Sequence, residues 1–139
     1  MDTLAPPAPT RTWLSWLLPL LGTAGFAALW VIAALYADRQ LSWMAVVGAL
    51  DLAWMLRLGR WPRGRARAIA AIAGTAAIVL LANWWIIASH VAGALGLSAW
   101  DAAVRLGWNH AWTLAQLANG PVDLAWVAIA VVVAALTAR

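Results

Sequence analysis

Cysteine, glutamate and lysine are all missing from this chain. Without cysteine there is no disulfide, no thiolate-bound metal and no thiol catalysis. With Asp as the only acid and Arg as the only base, the Glu–Lys pairs that support solvated helix faces are excluded. Charge is scarce altogether: nine Arg and five Asp make up 10% of 139 residues, against about a quarter in soluble domains. Phosphate-binding and dinucleotide-binding glycine loops, the HExxH pair and the GxSxG elbow are also absent. Ser89 directly precedes His90, but helix neighbours point about 100° apart, so the two cannot act as nucleophile and base. No enzymatic activity is expected.

What is present is apolar: 65% of residues are hydrophobic. That composition predicts an all-α integral membrane protein of one domain. Residues 1–12, with three prolines and no apolar periodicity, read as a disordered tail. Residues 13–36 carry no charge and are long enough to span a bilayer, at about 36 Å as a helix. A cleavable leader is not expected there, because the run is long and ends at Leu35-Tyr36-Ala37 without the required pattern of small residues. Further spans are predicted over 41–58, 68–91 and 122–138, which completes a four-helix bundle. Gly22, Gly25, Gly48, Ala70 and Gly74 would let these helices approach closely.

The segment over 98–118 differs from the spans. Ser98 and Asp101 offer a capping-box-like start. Asp101, Arg105, Asn109, Thr113 and Gln116 then form a polar stripe beside an apolar one of Trp100, Val104, Trp108 and Trp112. This pattern predicts one amphipathic helix that lies at the membrane surface or re-enters it. Asn119-Gly120-Pro121 ends it, since proline cannot continue a helix but suits the first turn of the next.

Arginine placement sets orientation. Five of the nine fall between Arg57 and Arg67, and positive loops stay in the cytoplasm. Both termini are then cytoplasmic and 97–120 lies outside. The net charge of +4 is thereby explained by topology, and nucleic acid is not an expected partner. Heavy Ala and Arg usage points to a bacterial inner membrane. Lipid, a membrane-protein partner or a second copy of the chain is the expected neighbour.

Few residues could carry chemistry. Asp51 lies within the second span, where a carboxylate is costly and usually faces protein or water. Thr23 and Thr75 are at its depth, so the expectation is a protonated Asp51 bonded to their hydroxyls. The alternative is a titrating relay, with Asn83 and His90, two helical turns apart, lining the outer half of a transport route. His90 and His110 could also meet outside and, with Asp101 or Asp123, hold haem or a metal; their spacing matches no ligand motif, and no cofactor or metal is expected. Trp13, Trp16, Trp43, Trp61, Trp100, Trp108 and Trp112 fall near boundaries, as in an interfacial belt. The leading reading is a structural or accessory membrane subunit. Its external face, around Trp100, Trp108, His110 and Trp112, would contact a partner or another copy.

Overall fold

The computed structural model describes residues 13–138, so the tail expected over 1–12 lies outside the described residues. These fold into helices only: α1 (Trp13–Ala37), α2 (Met44–Leu58), α3 (Arg65–Leu95), α4 (Ala99–Arg105), α5 (Trp108–Ala118) and α6 (Pro121–Thr137). Two of them, α1 and α3, are long and apolar enough to cross a membrane. α5 and α6 are together apolar enough for a third crossing, but they meet at a bend of 103°.

α1, α2, α3 and α6 pack against one another around a shared core that includes Trp30, Ala45, Leu52, Leu56, Ile78 and Ala134. A second core lies beyond the first along α3. There Ile87, Ala88 and Ala92 pack on Ala102, Ala103 and Leu106 of α4 and its end, and on Ala111 of α5. α3 serves both cores because its 31 residues extend about 46 Å. It runs through Gly93, past the boundary expected at 91, because α4 covers its Ala88–Ala92 face. It stops at Gly96, which takes the left-handed conformation at φ 66°.

The loop from α1 to α2 is longer than the four residues expected. Leu41 has a positive φ of 49°, which is incompatible with helix, so α2 begins at Met44. The segment expected as one amphipathic helix over 98–118 is two. Ser98 does cap the start, its hydroxyl accepting from the Asp101 amide at 3.1 Å. The helix then breaks at Gly107, whose φ of 63° and ψ of 149° belong to a region essentially reserved for glycine. Both the polar stripe and the tryptophan stripe are exposed, and the buried side is the small-residue face of Ala102, Ala103 and Ala111.

One feature of α1 carries its own repair. Pro19 lies inside the helix and has no N–H to give to the carbonyl of Ser15, four residues earlier. The indole N–H of Trp61, in the loop after α2, donates to that carbonyl at 2.7 Å in a buried setting. Trp61 is 5% exposed and meets Trp16 edge to face at 4.8 Å. It is therefore a buried structural clasp and not the exposed boundary residue expected, whereas Trp13, Trp16, Trp43, Trp100, Trp108 and Trp112 are exposed.

Candidate functional site

The two ends of α6 are tied to the rest of the bundle by two separate sets of polar groups. At its start, the Asp123 carboxylate accepts from the Gly120 amide at 2.7 Å and from the Ser42 hydroxyl at 2.5 Å. Beside it, the Asn83 side-chain oxygen accepts from Gln40 and, at 3.0 Å, from Asn119. Asn83 and Asn119 also donate to carbonyls of their own helices, Val79 and Ala115, each at 2.8 Å. Trp30, fully buried, donates its indole N–H to the Gln40 carbonyl at 2.9 Å. This amide layer joins the α1–α2 loop, the middle of α3 and the α5–α6 junction, and it lies where the two hydrophobic cores meet.

At the other end of α6, arginines hold the last carbonyls. Arg57 of α2 donates to Thr137 at 2.9 Å, and Arg67 of α3 donates to Ala138. Arg67 is 5% exposed, with a further bond to the Trp61 carbonyl at 3.5 Å. A carboxylate at the N-terminus and guanidiniums at the C-terminus both complement the helix dipole. From Arg67 to Asn83 is 16 residues of α3, about 24 Å. The start of α1 and the end of α6 lie at this same arginine end, as the Trp61–Ser15 and Arg67–Ala138 bonds require.

Between the layers, Asp51 is half-buried. Its Oδ2 faces Gly22 of α1, 3.6 Å from where a β-carbon there would lie. The expected union of Asp51 with Thr23 and Thr75 is not made: buried Thr75 donates to the Ala71 carbonyl of its own helix at 2.7 Å. No bond among the described residues links Thr23 to Asp51. Gly22, Gly48 and Gly74 do lie at close helix approaches, while Gly25 faces open space.

His90 and His110 are both exposed. Among the described residues, no group of three His, Asp, Glu or Cys side chains is close enough to hold a metal ion. Asn83 and His90 are also separated in role, since Asn83 is bound into the amide layer and His90 lies on the projecting half of α3. Trp100 packs against Trp85 at 5.9 Å, and Trp108 stacks with Trp112 at 6.5 Å.

Immediately beside the amide layer is a groove of about 560 Å³. Its floor is the crevice between α3, at Val79 and Ile87, and α6, at Val127. α5 crosses above, contributing Ala111 and Ala115. Trp84, Trp108 and Trp112 form its aromatic wall, and Asn83, Gln116 and Asn119 are its polar members. Among the described residues, no charged side chain lines it. Leu80, Leu124 and Trp112, also part of its lining, keep more than half of their surface exposed, so the groove opens sideways past α3 and α6.

The sequence does not single out Gln40 and Asn119, which lie in expected connections, or Ser42, which lies within the span expected over 41–58, and it offers Asp123 only as a possible metal ligand. Each lies within three residues of an expected span boundary, whereas Asn83 lies eight residues inside the span expected over 68–91, so no sequence signal joins them. No family model matches this chain, and no curated protein or solved structure matches it.

Proposed function

We propose that the chain is a multi-pass protein of the bacterial inner membrane, with α1, α2, α3 and α6 as a transmembrane four-helix bundle and both termini in the cytoplasm. Within it the chain acts as a non-enzymatic accessory subunit, its α4 face around Trp100 and Val104 meeting a membrane-protein partner or another copy. The observation that carries this reading is the pair of polar layers about 24 Å apart, with an apolar bundle between them. That spacing approaches the roughly 30 Å of bilayer hydrocarbon, and it explains how the short helices α2 and α6 can cross. The arginines of the 57–67 region gather at one layer, as cytoplasmic positive charge does. Beyond the other layer, Trp100 and Val104 are each 67% exposed beside the second core, where an accessory contact belongs.

A transport reading is the alternative, favoured by Asp51, whose carboxylate lies between the layers and makes no hydrogen bond among the described residues. Asp51→Asn separates the two. An accessory subunit keeps its assembly and changes mainly in thermal stability. A titrating relay loses pH-dependent flux in proteoliposomes while its far-UV circular dichroism is unchanged. Photo-crosslinking in native membranes tests the docking face: a crosslinker at Trp100 should trap one discrete species, and the same group at Tyr36 should not. Equal trapping from both positions would remove the accessory reading.

A further inference from the structure

The groove beneath α5 is not explained by the accessory role. At about 560 Å³ it falls within the roughly 300–1,000 Å³ of ligand sites, and like them it is mostly apolar with a few polar groups at one place. We propose that this groove holds one acyl chain of a bilayer phospholipid, with the ester end of that lipid at Asn83 and Gln116. This rests on the membrane-spanning reading given above.

Three features select this occupant. The first is position. The groove straddles the amide layer, with Val79 and Val127 on the bundle side and Trp108 and Trp112 on the other. A lipid changes from hydrocarbon to ester over the same boundary, and tryptophan favours that depth. The second is chemistry. The polar members are uncharged amides, suited to ester and glycerol oxygens; a phosphate site would need Arg or a cluster of backbone donors. Gln116 makes no hydrogen bond among the described residues, and Asn83 has one amide hydrogen beyond its bond to Val79. The third is access: the groove opens sideways past Leu80 of α3 and Leu124 of α6, the direction from which a chain in the surrounding bilayer would enter.

Why α5 leaves the space open follows from the fold. The 103° turn at Asn119-Gly120-Pro121 carries α5 away from α6, while Ala111 anchors it on α3. The angle between the three helices is then wedge-shaped, and small side chains at Ala111 and Ala115 cannot fill it.

The test uses the full chain in vesicles of phosphatidylethanolamine and phosphatidylglycerol, with trace phosphatidylcholine bearing a diazirine in one acyl chain. After illumination, labelled residues are located by mass spectrometry. Val79, Leu80, Leu124 and Val127 should be labelled about tenfold more than the exposed α1 residues Leu21 and Ile32, which corresponds to 1.4 kcal/mol of preference. Val127→Trp should bring the groove positions down to the α1 level, while Leu136→Trp, also on α6, should leave them unchanged. Groove labelling no stronger than that of α1 in the wild-type chain overturns the proposal, a result that needs no variant to fold. Persistence of strong labelling in a helical Val127→Trp protein also overturns it. Absence of label from α1 and α3 altogether would instead remove the membrane-spanning reading on which the inference depends.

Discussion

Trp61→Phe should destabilise the protein chiefly through a carbonyl on a different helix. The substitution removes the 2.7 Å bond from the indole N–H to the Ser15 carbonyl. Ser15 is 7% exposed, and Pro19 denies its carbonyl the usual helical donor. A buried acceptor left without a partner costs about 1–3 kcal/mol, and the smaller ring adds a packing loss. Pro19→Ala restores an N–H four residues along, so in that background the carbonyl is no longer stranded when Trp61 is changed. The packing loss is common to both backgrounds and cancels in a double-mutant cycle. The coupling should be about 1–2 kcal/mol, with Trp61→Phe milder in the Pro19→Ala protein. The assay is reversible unfolding in mixed micelles followed at 222 nm, where helix is read without reliance on tryptophan emission. Equal costs of Trp61→Phe in the two backgrounds, within about 0.3 kcal/mol, would refute the idea that the clasp replaces the missing helical bond.

Three further outcomes follow from the same packing. Asn83→Ala and Asn119→Ala should be coupled by about 0.6–1.7 kcal/mol, the range for side-chain hydrogen bonds in membrane helices, because Asn119 donates to the Asn83 oxygen; additive costs in a double-mutant cycle would show the amide layer to be inert. Gly74→Ala would put a β-carbon 2.2 Å from a methyl of buried Leu52, so overpacking of about 1–3 kcal/mol should outweigh the roughly 1 kcal/mol gain in helix propensity. In a Leu52→Ala background the sign should reverse, and unfolding midpoints of the four proteins check it. Gly107→Ala meets no atom within 4 Å, so its cost is backbone strain alone, about 1–3 kcal/mol; hydrogen exchange should show faster opening of α4 and α5 with the first core unchanged, and loss confined to α1 would contradict the assignment.

The sequence makes the helical, apolar character of this chain legible because composition and period act locally. Charge-free runs around residues 13–36 and 68–91 can be read as the two long helices without any knowledge of contacts. The same holds for the Ser98 cap and the proline start of α6, where a side chain or ring acts within one turn. The arginine cluster likewise marks one end of the bundle before any fold is known.

Other features depend on atoms distant in sequence. Nothing around Trp61 reveals that it supplies a donor to Ser15, since that need arises from Pro19 and is met across a helix pair. Asp51 could be placed at depth by counting residues, but whether it faced Thr75 or Gly22 depended on the rotation of α2 against its neighbours. The break at Gly107 was hidden because an uninterrupted apolar period can be drawn through it, while packing of Ala102, Ala103 and Ala111 on α3 requires the chain to turn. Gln40, Asn83 and Asn119 come together from two connections and the middle of α3, separated by tens of residues. The sequence by itself thus determined apolar character, element type and charge asymmetry, which are additive properties of neighbouring residues. Tertiary structure alone decided the amide layer, the arginine clasp on α6 and the groove, because each exists only when distant helices are packed at one depth.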